Sequence, residues 1–418
     1  MRFIFLLVFT LISVNLRSQS IKTIDFRLNY DSIMKVELAQ RIKGKAMARD
    51  SILAYLSEVN RDSLIKLNID DNYFSGLPDL SGFDKLKSIH ASNNLITKIR
   101  KKNFKGDSLK EIVLSSNKLI KIRFTRNKSI TTVVLSHNKL GRIPRSIRKL
   151  RNLKTLTLTS NNIKKIPRFL RRMDSLEEID LTGNEIVFKK SSAKNLSNIE
   201  AVLIVGNKLE KLPGNIGEMQ GVKKLNLAKN NLSNLPESFA QLTELEHIIF
   251  YKNRFDHIPL SVFQLKNLKE LDFYYNQIEE IPVEIGDLTK LRQLFLSFNN
   301  IRVLPSSIMK LDSLKYIFIH HNELMALPGC LVNMPNLQRL DFSYNNLFQI
   351  PDLSSLPNLQ DLDLHANNIE EFPWGVLKIK DIKLFLITEN PLLLNGDDRK
   401  ILTDFSDDME KRGLKFAF

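Results

Sequence analysis

Apolar residues recur along most of this chain in a fixed pattern around one asparagine. In the segments 153–163, 291–301 and 359–369, apolar residues occupy positions one, four, six and eleven, and asparagine occupies position nine. The alternation of apolar and polar residues around positions four to six predicts a short strand whose apolar side chains face the core. The asparagine follows the strand, and its amide can satisfy backbone groups that the turn would otherwise bury unpaired.

The pattern repeats with a nearly constant period. Eleven of the fourteen intervals between successive asparagines are 23 residues long. The fifteen asparagines lie at positions 72, 94, 117, 138, 161, 184, 207, 230, 253, 276, 299, 322, 345, 367 and 390. Such a period predicts coils that stack on one another, each contributing one parallel strand. Eleven of the fourteen prolines follow an apolar or aromatic residue after the turn, as in Ile166-Pro167 and Leu304-Pro305, which favours extended backbone or short helical turns there.

The combined motif, L-x-x-L-x-L-x-x-N-x-L followed by I/L-P-x-x-I, resembles the 23-residue class of leucine-rich repeats. This class is found in plant intracellular Ras-group repeat proteins, animal Ras-pathway scaffolds and bacterial secreted repeat proteins. The resemblance covers about residues 64–392 and implies fifteen repeats in an α/β solenoid, a curved horseshoe with a parallel, concave β-sheet. It identifies a fold and says little about function. Arg100 and Arg123 replace the proline and 188–198 lacks the motif, so the geometry opposite the sheet is not predicted there.

Residues 1–20 have the composition of a secretory signal peptide. A basic residue, Arg2, precedes an apolar run at 3–14, and small residues follow at Ser18 and Ser20. The run is shorter than the ~20 residues that a membrane-spanning helix needs, and no other segment approaches that length. We therefore expect cleavage near Ser20 and an exported mature protein (periplasmic, cell-surface or secreted) without a transmembrane segment. In the alternative, the run is a retained strand or helix of an intracellular signalling scaffold.

Both ends of the array are predicted to carry a helical cap, because a solenoid exposes apolar surface at its ends. The N-terminal cap is assigned to 21–63, with Asp31 and Asp50 as candidate N-cap residues. Its apolar residues near helical spacing are Ile33, Met34, Val36, Ile52, Leu53 and Leu56. The C-terminal cap is assigned to 393–418, as a helix over 397–411 and a final strand over 415–418. Its helix places on one face Ile401, Leu402, Phe405 and Met409.

The solvent-facing positions of the predicted sheet change character along the chain. Early coils carry small or polar residues there, whereas later coils carry aromatic residues and histidines. These are Tyr251, Tyr274, Tyr275, Phe295, Phe298, Tyr316, Phe318, His320, His321 and Tyr344. An exposed aromatic cluster is typical of a surface that docks a protein or peptide partner. Two alternatives stay open: rings that only pack across neighbouring strands, and rings that stack on a glycan.

The net charge of +16 is concentrated in one stretch. Between Lys98 and Arg172 there are 23 Lys and Arg residues against two acids, a local net of +21, so the remainder sums to −5. The basic residues that follow the asparagines are Arg142, Arg145, Arg148, Lys149, Arg151, Lys164, Lys165, Arg168, Arg171 and Arg172. They form either a solvated face or a contact with an anionic surface such as lipid headgroups or acidic polysaccharide. No nucleic-acid motif accompanies them, which disfavours a nucleic-acid partner.

The sequence predicts no enzyme, cofactor or metal site. Cys330 is the only cysteine, so no internal disulfide can form. Adjacent His320 and His321 should point in opposing directions unless the strand ends there, which does not suit a shared metal ion. Four aspartates are predicted on the sheet with nothing to shift their pKa values: Asp180, Asp272, Asp341 and Asp363. No phosphate-binding glycine loop or nucleophile motif occurs.

Overall fold

The computed structural model describes residues 23–25, 49–104 and 107–418. The described residues form two compact units, one ending at Glu185 and one spanning Ile186–Phe418. We call them unit 1 and unit 2. The predicted signal peptide and most of the predicted N-terminal cap, including Asp31, lie outside the described residues.

Unit 1 contains a parallel sheet of seven short strands and a separate sheet of two. The strands are Thr23–Asp25 (β1), Lys66–Asn68 (β2), Ser88–His90 (β3), Lys98–Ile99 (β4), Glu111–Val113 (β5), Lys121–Ile122 (β6), Thr132–Val134 (β7), Thr155–Thr157 (β8) and Glu178–Asp180 (β9). The large sheet runs β1-β2-β3-β5-β7-β8-β9, and β4 pairs with β6. Arg123 stands where other coils have proline, and its backbone N–H donates to the Ile99 carbonyl at 3.3 Å. Proline has no N–H, so the second sheet forms where the motif is lost.

Unit 2 contains a parallel sheet of ten strands that follow one another in chain order. They are Ala201–Leu203 (β10), Lys224–Asn226 (β11), His247–Ile249 (β12), Glu270–Asp272 (β13), Gln293–Phe295 (β14), Tyr316–Phe318 (β15), Arg339–Asp341 (β16), Asp361–Asp363 (β17), Leu384–Leu386 (β18) and Lys415–Ala417 (β19). The middle residue of each strand is aligned in register with the middle residue of the next strand, as Leu271 is with Leu294 and Leu294 is with Ile317. These residues are fully buried, so the predicted orientation of the strands is confirmed.

Short helices lie opposite the strands. The 3-10 helices are Lys101–Phe104, Arg145–Lys149 and Leu170–Arg172 in unit 1, and Ile216–Glu218, Glu237–Gln241, Leu260–Gln264, Val283–Asp287, Ser306–Lys310, Gly329–Asn333, Leu353–Ser355 and Trp374–Lys378 in unit 2. A proline directly precedes several of them, and its carbonyl accepts the first helical hydrogen bond, as from Ile285 N–H to Pro282 at 3.0 Å. This confirms the predicted short helical turns. Within 188–198, where the motif is absent, an α-helix forms instead at Lys190–Asn195.

The consensus asparagines satisfy the backbone of the turns, as predicted. The Asn299 side-chain amide donates to the carbonyls of Phe273 and Leu296, both at 2.9 Å. Its carbonyl oxygen accepts the backbone N–H of Ile278 at 3.0 Å. The same bonds recur at Asn322, so each asparagine links its own turn to the coil before it. These backbone groups are buried from water, so the asparagine side chains provide the hydrogen bonds that water cannot.

Helices also lie near both ends of the described chain. One spans 49–58 and buries Ile52 and Leu56 while Leu53 is exposed. The other, Gly396–Lys411, begins with a capping box between Asn395 and Asp398 and buries Leu402 and Met409. After it, β19 pairs with β18 and extends the sheet of unit 2. That these segments act as caps remains a prediction.

Candidate functional site

The ten aromatic and histidine residues predicted on the sheet surface form one region of unit 2, which we call the aromatic patch. It consists of Tyr251, Tyr274, Tyr275, Phe295, Phe298, Tyr316, Phe318, His320, His321 and Tyr344. None of the ten is buried, and the exposed fractions of Tyr275 and Tyr344 reach 42% and 44%. The aliphatic residues between them are fully buried, which leaves the rings on the solvent side of the strands.

Four rings of the patch form a stacked row that we call the aromatic ladder: Tyr275, Phe298, His321 and Tyr344. Successive ring centroids are 4.2, 4.1 and 4.2 Å apart. Each residue directly precedes a consensus asparagine and has a left-handed backbone, with φ between 51° and 57°. Bulky L-residues rarely adopt this conformation, which costs about 1–2 kcal/mol per residue. The repeat pattern did not predict this backbone geometry.

A second row of rings lies beside the ladder. Tyr274 contacts Tyr251 with ring centroids 5.6 Å apart, and it contacts His320, two coils further on, at 5.7 Å. The intervening coil carries Ser297, which is fully buried. The Ser297 hydroxyl has no hydrogen-bond partner among the described residues. His365 extends the patch beyond its predicted members, because its ring meets that of Tyr344 edge to face at 4.5 Å.

The remaining members lie within the strands. Phe295 and Phe318 occupy the last positions of neighbouring strands, and their rings stack in parallel at 5.1 Å. The Tyr316 hydroxyl donates to the Gln338 side-chain carbonyl at 3.2 Å. The two phenylalanines therefore present one continuous apolar face, whereas Tyr316 is tied to its neighbouring coil.

The two adjacent histidines lie on the same side of the chain, contrary to the orientation expected for consecutive strand residues. Strand β15 ends at Phe318, and the left-handed backbone of His321 turns its ring back toward His320. Their Nδ1 atoms are 2.8 Å apart, so one nitrogen donates to the other and only one of them carries a proton. Burial lowers the pKa of both histidines, and the charge of His320 further lowers that of His321. Burial therefore favours the uncharged form of both rings.

The prediction that nothing shifts the pKa values of the aspartates on the sheet was wrong for Asp272. Its carboxyl lies at the end of β13 between Ile249 and Phe295 of the flanking strands. Burial raises the pKa of Asp272 to about 7, against the hydrogen bond that its carboxyl accepts from the Tyr274 N–H. The sequence gives the position of this carboxyl but not how far the surrounding rings exclude water from it.

Other chemistry is sparse. Within residues 23–25, 49–104 and 107–418, no group of three or more histidines, cysteines and carboxylates could hold a metal ion. Cys330 is a free, part-buried thiol at the start of a 3-10 helix. Asp180 lies in unit 1, whereas the other three aspartates of the sheet lie in unit 2. No helix in the described parts of the chain is long and apolar enough to cross a membrane.

The basic residues singled out in the sequence lie in unit 1, on and around two 3-10 helices, Arg145–Lys149 and Leu170–Arg172. Most are exposed. Lys164 pairs with Glu185 at 3.2 Å. Eight others form no ion pair with any described residue: Arg142, Arg145, Arg148, Lys149, Arg151, Lys165, Arg168 and Arg172. Their positive charge is therefore left largely uncompensated.

Coils with one parallel strand each and short helices opposite define a solenoid repeat fold. Family models described as leucine-rich repeats match residues 84–140, 128–186 and 221–242, and a leucine-rich repeat region matches 261–372. A leucine-rich-repeat protein of Leptospira interrogans is 25% identical, with a TM-score of 0.73, over 91% of this chain and 98% of that one. The chain is thus a leucine-rich-repeat protein.

Two further structures show how widely the fold is used. An internalin of Listeria monocytogenes is 18% identical, with a TM-score of 0.60, over 85% of this chain and 96% of that one. The plant peptide hormone receptor RGFR1, in complex with RGF2, is 25% identical, with a TM-score of 0.51, over 78% of this chain and 62% of the receptor. In all, 468 chains of known structure match, so the fold alone selects no partner. A search of curated proteins finds no match.

Leucine-rich-repeat proteins commonly serve as scaffolds for protein–protein interaction and are typically not enzymes. The function of this chain must therefore be inferred from its own surfaces rather than from its fold.

Proposed function

We propose that this protein is an exported, non-enzymatic recognition module that docks a protein or peptide partner on the aromatic patch of unit 2. The aromatic ladder is the observation that carries the proposal. Four bulky rings in successive coils occupy the left-handed position before the asparagine, which the other coils fill with glycine or with smaller or polar residues, as at Gly206, Ser160 and Lys252. The repeat does not require an aromatic side chain at this position, because other coils form the same turn without one.

The composition of the patch supports docking. Tyrosine, phenylalanine and histidine side chains are rigid and partly polar, and such residues supply much of the binding energy at protein interfaces. Ring-to-ring contacts hold them in place before a partner arrives, which reduces the entropy lost on binding. The buried strands beneath give the patch a fixed backbone. We therefore expect little backbone movement when a partner binds.

The test is affinity capture from the cell envelope of the source organism. The bait proteins are the full chain and the variant Tyr274→Ala/Phe295→Ala/Phe318→Ala. A control variant, Leu260→Ala/Val283→Ala, removes exposed apolar side chains elsewhere in unit 2. A specific protein should be retained by the full chain and the control but lost from the triple variant. Retention should persist as salt is raised, because the contact is mainly apolar.

Two results would contradict docking. If the triple variant melts far below the full chain, the rings are packing elements and docking on the patch is wrong. If the material held by the patch is carbohydrate, as shown by its loss on glycosidase but not protease treatment, the partner is a glycan. A photocrosslinking residue at position 298 would place the contact directly, since adducts should form only with patch-bound partners.

A second candidate function rests on the uncompensated basic residues of unit 1. These would hold the protein to anionic lipid headgroups or acidic polysaccharide. Sedimentation with vesicles of anionic or zwitterionic lipid measures this, and binding to anionic vesicles should fall steeply with ionic strength. The variant Arg142→Gln/Arg145→Gln/Arg148→Gln should bind more weakly. Binding that ignores salt and these substitutions would exclude this role.

Export after cleavage near Ser20 is part of the proposal, and N-terminal sequencing of the protein from its native cells tests it. A mature chain that begins near Ile21 and is found outside the cytoplasm would support it. Retention of residues 1–20 on a cytoplasmic protein would favour an intracellular scaffold instead.

A further inference from the structure

The aromatic patch carries carboxylates among its rings. Along the last positions of five neighbouring strands the order is Asp272, Phe295, Phe318, Asp341 and Asp363. A stacked phenylalanine pair is thus bounded on both sides by acids. These five positions hold three acids and no basic residue, so their net charge at neutral pH is negative, although burial raises the pKa of Asp272 to about 7 and leaves it only partly ionised.

Each of the three carboxylates uses only one of its two oxygens in hydrogen bonds within the protein. In each, Oδ1 accepts the backbone N–H of the residue two positions later, at 2.8 Å for Asp272, 3.2 Å for Asp341 and 3.1 Å for Asp363. Oδ1 of Asp341 also accepts the Ser343 hydroxyl, and Oδ1 of Asp363 also bonds His365. No described residue donates to Oδ2 of any of the three. One oxygen on each carboxylate is therefore open to an external donor.

Among the described residues Asp272 and Asp341 lack a basic partner, whereas Asp363 contacts His365 at 2.7 Å. Elsewhere in unit 2, lysine or arginine pairs with an acid at Lys266–Asp287, Lys269–Glu246, Arg302–Glu323 and Arg339–Asp361. Within the described residues, no lysine or arginine reaches Asp272, Asp341 or Asp363. Carboxylates held among rings without a counter-ion attract a cation more strongly than solvated ones do.

The rings themselves favour the same ligand. The faces of tyrosine and phenylalanine attract a cation that lies within about 6 Å of the ring centroid. The chain already uses this contact at the edge of the patch, where the Lys229 ammonium lies over the Tyr251 ring at 5.8 Å. In the next coil burial raises the pKa of Tyr274, and the nearby charges of Tyr275, Tyr251, Asp341 and Asp272 raise it further.

We infer that the patch recognises a lysine or arginine side chain of its protein partner, with the apolar stem on the phenylalanine pair and the charge between ring faces and aspartates. This inference rests on the proposed docking function and adds the chemistry of the partner. Acidic segments would meet unpaired carboxylates, so charge complementarity selects against them.

Selection from a random twelve-residue peptide library displayed on phage tests the inference with defined probes. Three forms of the full chain are used: the unmodified protein, Asp272→Asn/Asp341→Asn/Asp363→Asn, and the control Asp312→Asn/Asp381→Asn/Asp407→Asn. The control removes the same charge from exposed positions elsewhere in unit 2. Peptides selected by the unmodified protein and the control should be enriched in lysine or arginine next to apolar residues. The patch variant should lose that enrichment.

Affinity measurements then quantify the effect. The most enriched peptide is synthesised with its basic residue and with norleucine in that place, and both are titrated by fluorescence anisotropy. Loss of the cation should weaken binding to the unmodified protein about tenfold, the size expected for a partly desolvated cation–ring contact. The same exchange should have little effect on the patch variant.

The outcomes separate the two proposals. If Tyr274→Ala/Phe295→Ala/Phe318→Ala, still folded by circular dichroism, selects the same peptides, docking on the patch is wrong. If selection depends on those rings but shows no basic enrichment, or the aspartate variant binds the same peptides equally well, only the inferred cation recognition is overturned. If the unmodified protein selects no peptide, both are overturned.

Discussion

Replacing Asp272 by Asn should stabilise the protein at pH 8 and leave its stability unchanged at pH 4. The Asp272 carboxyl lies between apolar residues of the two flanking strands, and burial raises its pKa from 3.8 to about 7. The like charge of Glu270 on the same strand also raises that pKa. Asparagine has the same shape and keeps an oxygen that can accept the Tyr274 N–H, but it never ionises.

The sign follows from proton binding. Between pH 3.8 and 7 the folded protein holds a proton on Asp272 that the unfolded chain has released, so stability falls as the pH rises through this window. Above pH 7 the folded state carries an ionised, poorly solvated carboxylate. A shift of this size corresponds to at most about 4 kcal/mol. Because Asp272 is only partly buried, screening by water reduces this, and we expect a difference of about 1–2 kcal/mol at pH 8.

Urea unfolding followed by circular dichroism measures this difference, with both proteins compared at pH 4 and at pH 8. Asp312→Asn, at an exposed position, is the control and should change stability by less than about 0.5 kcal/mol at either pH. Equal stability of the Asp272 variant and the unmodified protein at both pH values would refute the reasoning. A variant that is less stable at pH 8 would show that the carboxylate is stabilised by a partner.

Three further predictions concern the repeat framework, each measured by urea unfolding. Asn299→Ala leaves buried backbone groups of two coils unpaired and should lower the free energy of unfolding by about 3 kcal/mol. Lys252→Gly should raise the free energy of unfolding by up to about 1 kcal/mol, because glycine adopts the left-handed backbone without strain. Tyr275→Gly should raise the free energy of unfolding by less, because it also removes the stacking of the Tyr275 ring. Gly286→Ala should lower it by about 1–3 kcal/mol, since the added Cβ would lie 2.7 Å from the Ser307 carbonyl oxygen.

The fold follows from the sequence almost completely. The 23-residue period identifies every coil, and the alternation within each strand identifies the buried face, because a shift of one residue would expose the leucines. The proline motif predicts the short helices, and its loss at Arg123 coincides with the second sheet. What happens where the motif fails was not predictable, because the released N–H groups can be satisfied in several ways. The helix at Lys190–Asn195 is one such outcome.

The sequence predicted which residues form the aromatic patch but not how their side chains are arranged. Periodicity places Tyr275, Phe298 and His321 on the solvent side of their coils, yet their stacking depends on a left-handed backbone that composition does not reveal. The same holds for the paired histidines and for the pKa of Asp272. Both depend on where a strand ends and on what the surrounding rings cover, and these are properties of tertiary structure.

Several departures from local preference occur together in neighbouring coils of unit 2. Successive rings with left-handed backbone, a desolvated carboxyl at Asp272 and an unpartnered hydroxyl at Ser297 all lie there, and each opposes folding. In the other coils the left-handed position carries glycine or a smaller or polar residue, as at Ser160, Gly206 and Lys252. Several other acids of unit 2 are paired with bases. Such a combination of departures in neighbouring coils is typical of a surface shaped for binding rather than for stability. The substitution Asp272→Asn tests this distinction between binding and stability, because it should stabilise the fold and weaken recognition of a cation.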